Sequence, residues 1–339
     1  MIPYRTRRLL RRLLVSLLVL ALVAAGVLVC WLLWLNRFVV YTQDGVRLDF
    51  DLPAKFPQGQ LAVKPTEGVS VDIYYNEGEN LILPESTELT QLSGVYITGQ
   101  MLIDNFDAVE SQLKTISADV PVMLDVKNFR GEFYYSTAQP HRSEKVDIQR
   151  FDALVSNLHR SGNYLIARLP ALRDYWHGLE NVNDGVFNPN RLSLWIDADR
   201  CYWLNPSAEG TLNYLISIIS ELKAMGFDEV VFEDFCLPPT DAIYFPEDKV
   251  EAINTAAASL VKICATDTFA VSFANSDETF QLPAGRSRLY LKDVAAADAA
   301  AIAQRTGFEN PAVSLVFLTD LMDTRFDAYG VVRPLDIGQ

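Results

Sequence analysis

The stretch "TLNYLISIISELKAMGFDEVVFED", residues 211–234, holds both halves of one structural unit. Leu212, Leu215, Ile216, Ile219 and Leu222 recur at helical spacing, Ser207 stands where an N-cap belongs, and Gly226 stands where a helix stops. "DEVVFED" then runs apolar on both faces, as a strand does when helices cover it from both sides.

The same alternation extends in both directions. "GVYIT" (94–98) precedes Phe106, Val109, Leu113 and Ile116, and "VPVMLDVK" (120–127) precedes Ile148, Phe151, Leu154, Val155 and Leu158, closed by Gly162. "YLIARLP" (164–170), "FAVSFAN" (269–275), "RLYL" (288–291) and "AVSLVFLT" (312–319) read as further strands, with helical segments near 247–264 and 293–306. Seven such units in about 245 residues predict a TIM-like (β/α)₈ barrel, an α/β fold, with only "YGVVRP" (329–334) to supply the eighth strand. An open doubly wound sheet is the alternative, but no G-x-G-x-x-G or Walker turn follows the first strand.

Ahead of the barrel the pattern differs. Leu13 to Leu35 is a 23-residue stretch without a charge, preceded by Arg5, Arg7, Arg8, Arg11 and Arg12. It is long enough to span a hydrocarbon core of about 30 Å, and the arginines predict a cytoplasmic N-terminus with the rest of the chain extracytoplasmic. Cleavage as a signal peptide near "ALVAAG" is the rival reading, against which the apolar run continues through "VLVCWLLWL". "RFVVYTQDGVRLDFDL" (37–52) reads as a hairpin around Asp44-Gly45 and opens a β-rich stalk. The expected organisation is a tail and transmembrane anchor (1–37), a stalk (38–92) and the barrel (93–339).

Beyond residue 37 the chain carries 23 basic and 43 acidic residues, a net charge of −20. That repels nucleic acid and favours a neutral or cationic partner. Cys201, Cys236 and Cys264 are an odd set, so at most one disulfide forms. His141, His159 and His177 do not have metal-ligand spacing, and no G-x-S-x-G, H-E-x-x-H or C-x-x-C motif occurs. No cofactor or metal is expected.

A barrel of this kind places its site at the C-terminal strand ends. Strand alternation turns Tyr96, Thr98, Asp125, Lys127, Arg168, Glu233, Ser272, Tyr290 and Lys292 towards the axis and Asp234 away from it. Two carboxylates with Arg, Lys and Tyr suit glycosidic bond hydrolysis, one acid protonating the leaving oxygen while the other acts as nucleophile or activates water. Glu233 and Asp125 form the leading pair, and Asp277, followed by Glu278 after "SFANS", is the further candidate for the second acid. Tyr96, Lys127, Arg168 and Asn275 are candidate substrate contacts. So are Trp176 and Trp203, from an aromatic-rich excursion between Pro170 and Pro206 that would suit a carbohydrate cleft or simply pack the loop. An ion pair between Asp125 and Lys127 is the structural alternative to their catalytic reading.

"GVYITG" (94–99), "LDVKNFRGEFYY" (124–135), "YLIARLPALRD" (164–174) with "WLNP" (203–206), and "GFDEVVFEDFCLP" (226–238) follow one another in the order of a known family. In these motifs the chain resembles a bacterial glycosyl hydrolase domain related in fold to the amylase-type barrels. The resemblance implies a TIM-like barrel acting on a polysaccharide or oligosaccharide, with Asp125, Lys127, Gly131 and Arg168 on family positions. It aligns Glu233 with the family aspartate, Asp234 with a tyrosine, Cys236 with an arginine, and Asn205 with a common aspartate. Those departures imply a second possibility, a barrel that has lost part of its site and binds glycan or protein at the cell surface.

Overall fold

The computed structural model describes residues 39–42, 45–48, 88–275 and 279–338. The anchor segment, stalk residues 49–87, and Asp277 with Glu278 lie outside the described residues. No described helix is long and apolar enough to cross a membrane. The chain divides into two compact units, Met1–Glu79 and Asn80–Gln339. In the first, β1 (Val39–Thr42) and β2 (Gly45–Leu48) pair antiparallel, with Thr42 opposite Gly45.

The second unit is a closed barrel of eight parallel strands taken in chain order. They are β3 (Ser93–Ile97), β4 (Val122–Asp125), β5 (Leu165–Pro170), β8 (Glu229–Glu233), β9 (Ala270–Ala274), β10 (Leu289–Lys292), β11 (Leu315–Leu318) and β12 (Gly330–Pro334). Between β5 and β8 the excursion forms a small antiparallel pair, β6 (Phe187–Asn188) and β7 (Ser193–Leu194). The short "YGVVRP" run does supply the eighth strand: β12 closes the ring on β3, from Val331 opposite Ser93 to Pro334 opposite Tyr96. Pro334 has no N–H to give, and the next amide, that of Leu335, donates to the carbonyl of Tyr96.

The double apolar coat of each strand follows from closure. Met123, Ile166, Val231, Tyr290, Val316 and Val332 fill the axis. Val122, Leu124, Leu165, Val230, Phe232, Val271 and Phe273 pack outwards with the helices. Those helices are α1 (Gly99–Leu113), α2 (Ile148–Ser161), α3 (Tyr175–Glu180), α4 (Glu209–Met225), α5 (Lys249–Cys264), α6 (Ala299–Thr306) and α7 (Pro311–Ser314). Gly162 (φ 87°) and Gly226 (φ 95°) end α2 and α4 in the left-handed conformation that glycine adopts without strain. Ser207 does not cap α4. Asn205 Oδ1 accepts from the Ser207 amide and delays the helix by one turn residue, so Ala208 is the N-cap and the Ser207 hydroxyl donates to Glu247 Oε2 at 2.5 Å.

Candidate functional site at the barrel mouth

Asp125 ends β4 and Arg168 lies two residues before the end of the adjacent β5, paired in register. Arg168 Nε donates to Asp125 Oδ1 at 2.6 Å, and the amide of Gly99, first residue of α1, donates to Asp125 Oδ2 at 2.8 Å. Both carboxylate oxygens are thereby fixed. Gly99 is required for this approach, since a Cβ there would meet the ring of Tyr134. Glu233, last residue of β8, brings Oε1 to 3.8 Å from Arg168 Nη1 and 3.5 Å from Lys292 Nζ. These contacts are long, so Glu233 is held less tightly than Asp125.

Because both carboxylates touch one planar guanidinium, the facing oxygens are at most about 9 Å apart. Glycosidase carboxyl pairs span roughly 5 to 9.5 Å. Burial works against the charge on Arg168, but Asp125 and then Glu233 outweigh it and push the guanidinium further up. The Arg168 guanidinium also lies 5.4 Å from the centre of the Tyr96 ring. Burial raises the Tyr96 phenol, Arg168 pulls it back, and Asp320, Asp125 and Asp293 add to the rise. Tyr96, Arg168, Lys292, Asp293 and Asp320 line a cleft of about 580 Å³ at this end of the barrel.

The strand-end motifs that build this mouth lie within residues 94–265, which match the family described as "Putative glycosyl hydrolase domain". The chain belongs to this glycosyl hydrolase domain family. Three solved structures match parts of the chain at low sequence identity. A hypothetical protein of Ruminiclostridium thermocellum is 21% identical, over 52% of this chain and 96% of its own, with a TM-score of 0.45. The GH20 exo-β-N-acetylglucosaminidase of Vibrio harveyi is 7% identical (67% and 41% covered, TM-score 0.49), so this chain spans less than half of that protein. The glycoside hydrolase domain of PelA from Pseudomonas aeruginosa is 12% identical (74% and 96% covered, TM-score 0.46). No curated protein matches the chain.

Within the glycosyl hydrolase domain, the family positions divide into two jobs. Asp125 and Arg168 are at the mouth. Lys127 is not: only 2% exposed, it donates to Asp174 Oδ2 at 2.6 Å, and Tyr214 Oη donates to the same oxygen at 2.8 Å. Two residues beyond Asp125 the chain has left the barrel, so strand alternation no longer says where Lys127 points. The expected substrate contact is a buried latch, and its partner is Asp174 rather than Asp125. Gly131 (φ 81°) belongs to the latch as well, because a Cβ there would strike the Asp174 carboxylate.

Three other expected contacts lie elsewhere. Trp203 is buried, its Nε1 donating to Asp197 Oδ2 at 3.1 Å and its ring meeting Trp195 edge-on, so it packs the excursion. Trp176 stacks on His141 in a separate pocket. Asn275 donates through Nδ2 to the carbonyl of Phe235 and borders an apolar cavity with Phe280 and Leu289. Ser272 and Tyr290 do face the axis, but both bind Glu229 at the opposite end of the barrel. Thr98 is spent as the N-cap of α1. Cys201 and Cys264 are buried free thiols.

Strand alternation stops short of Asp234. This residue follows the last residue of β8 with φ 50°, a left-handed conformation that breaks the strand pattern. Burial, then the Glu233 charge, raise its carboxyl, while Arg173 and Lys292 pull it down. Asp293 repeats the conformation after β10, with φ 58°. Non-glycine residues in this region are uncommon and cluster at functional sites.

Asp234→Gly is therefore expected to stabilise the fold, by roughly 1 kcal/mol from the relieved backbone. A further gain depends on pH. A carboxyl whose folded pKa is raised contributes stability below its unfolded pKa and loses it as pH rises through the folded value. The gain from Asp234→Gly should thus be larger at pH 7 than at pH 3. Urea unfolding at the two pH values tests it, and an equal gain at both would remove the buried charge from the explanation.

Proposed function

We propose that this chain is a membrane-anchored, extracytoplasmic glycoside hydrolase acting on a polysaccharide or oligosaccharide. The observation that carries the reading is the Arg168 guanidinium joining Asp125 and Glu233 at the cleft. Asp125, with both oxygens occupied, is a fixed negative charge that steadies Arg168 and developing positive charge on the sugar. Glu233, on long contacts, is free to attack the anomeric carbon or to deprotonate water. Asp234 retains its proton to higher pH than an ordinary aspartate and supplies it to the leaving oxygen. The anchor rests on the apolar run of Leu13 to Leu35 with its flanking arginines.

The test is to incubate the full chain and its Glu233→Gln variant with a panel of cell-envelope and plant polysaccharides and measure new reducing ends. Wild type is expected to cleave at least one of them. The variant should lose about 100-fold or more, the usual contribution of a positioned acid or base. Undiminished hydrolysis in the variant would remove Glu233 from its role. Tight binding without turnover would instead support a surface glycan-binding barrel.

A further inference from the structure

The aromatic excursion builds a pocket of its own. A cavity of about 310 Å³ lies between the loop after β4, helix α3 and the start of α4, and shares no lining residue with the mouth cleft. One wall is the Trp176 ring stacked on His141, centroids 4.3 Å apart and 11° from parallel. Another is Tyr214 stacked on His177 at 3.9 Å. Each imidazole also holds a carboxylate: His141 Nε2 lies 2.8 Å from Glu180 Oε1, and His177 Nε2 lies 2.9 Å from Asp184 Oδ2. Gln139 reaches Ser217 Oγ at 3.0 Å across the same space. Gly210 keeps it open, since a Cβ there would strike the Asp184 carboxylate.

The lining narrows the class of ligand. It contains two carboxylates and neither Lys nor Arg, so a phosphate or other anion finds no counter-charge. Its polar groups are too many for an acyl chain. Among the described residues no three metal-ligating side chains are grouped to hold an ion. A neutral, hydroxyl-rich ring satisfies all of these conditions. Tyr214 is covered by His177 and Lys127, so the Trp176–His141 stack is the wall that meets the apolar C–H groups of such a ring, and carboxylates already oriented by their histidines accept its hydroxyl protons. The volume is at the lower end for ligand pockets, which suits one ring rather than several.

We propose that this pocket binds one pyranose unit of a glycan, separate from the reacting mouth. It anchors the chain on its polymer, and it does so whether or not the mouth is hydrolytic. A single ring gives a dissociation constant on the order of millimolar, from the usual yield per non-hydrogen atom.

The test uses the full chain labelled with 5-fluorotryptophan, the Trp176 signal being assigned by its loss in Trp176→Phe. Cellohexaose, maltohexaose, chitohexaose and xylohexaose are titrated in turn and followed by fluorine NMR. At least one hexaose is expected to move the Trp176 signal saturably. Glu180→Gln, on an exposed side chain that folding does not need, should weaken that binding about tenfold by removing one charge-assisted acceptor. Glu233→Gln should leave it unchanged. The pocket is not a sugar site if no hexaose moves the Trp176 signal, or if those that do bind Glu180→Gln equally well. Hydrolysis by a wild-type protein whose Trp176 signal stays still would overturn this proposal alone. A moving signal with no hydrolysis would overturn only the catalytic reading.

Discussion

Glu229→Ala is expected to cost the barrel about 3 to 5 kcal/mol, the usual loss when one partner of a buried ion pair is removed. Glu229 opens β8 at the end opposite the mouth, and it and Arg288 are almost wholly shielded from solvent. Its Oε1 accepts from Ser272 Oγ at 2.6 Å and Tyr290 Oη at 2.9 Å; its Oε2 accepts from Tyr164 Oη at 2.9 Å and from the Arg288 guanidinium. Arg288 also donates to the carbonyls of Thr90 at 2.8 Å and Val313 at 3.2 Å, tying the network to the chain entering β3 and to α7, the short helix before β11. Removing the carboxylate leaves a buried cation and three hydroxyls without their acceptor. Against a total stability of about 5 to 15 kcal/mol, such a loss approaches unfolding. The double variant Glu229→Leu with Arg288→Met should be less damaged than Glu229→Ala alone, because no uncompensated charge remains. Urea unfolding of the three proteins decides it, and a loss below about 1 kcal/mol in Glu229→Ala would mean that water or a rearranged partner reaches Arg288.

This network explains where the sequence could be read and where it could not. Eight parallel strands buried on two faces leave an apolar run that needs no context to recognise, and even the five residues of β12 carry it. Alternation along those runs brings Tyr96, Asp125, Arg168, Glu233 and Lys292 to one end of the axis, because each lies inside a strand. Ser272 and Tyr290 obey the same rule but sit deeper, since alternation gives the face and not the layer. Depth along the axis follows from stagger between strands, which no single strand encodes.

Past a strand end alternation fails for another reason. Lys127, Asp234 and Asp293 lie there, where one positive φ or a turn resets every direction that follows. The sequence offered a weak signal for the last two, an aspartate directly after a strand that ends in a charged residue, "FED" and "LKD". The tryptophans failed differently. Aromatic side chains pack loops and platforms with equal ease, and only the position of His141 and Asp197 distinguishes Trp176 in its pocket from Trp203 in its core.

Arg168→Met should have the largest effect on activity, a loss of about 100- to 1,000-fold in turnover, comparable to removing a preorganised electrostatic group. Arg168 is paired with Asp125 and lies next to Glu233, and it lines the cleft itself. Without the guanidinium, two partly shielded carboxylates face each other with only the exposed Lys292 nearby. Like charges so placed repel each other, and Glu233 loses the cation that holds it beside the cleft. Stability carries the same signature. The lost ion pairs and the repulsion count only while the carboxylates are charged, so the deficit of Arg168→Met relative to wild type should be larger at neutral pH than in acid. Arg168→Lys should recover only part of the rate, since one ammonium cannot reproduce the fork that meets Asp125 through Nε and faces Glu233 through Nη1. Melting temperature against pH separates this account from simple misfolding, which would lower stability equally at every pH. Turnover in Arg168→Met within about threefold of wild type would move the chemistry away from this mouth altogether, since even one lost electrostatic contact ordinarily costs more than that.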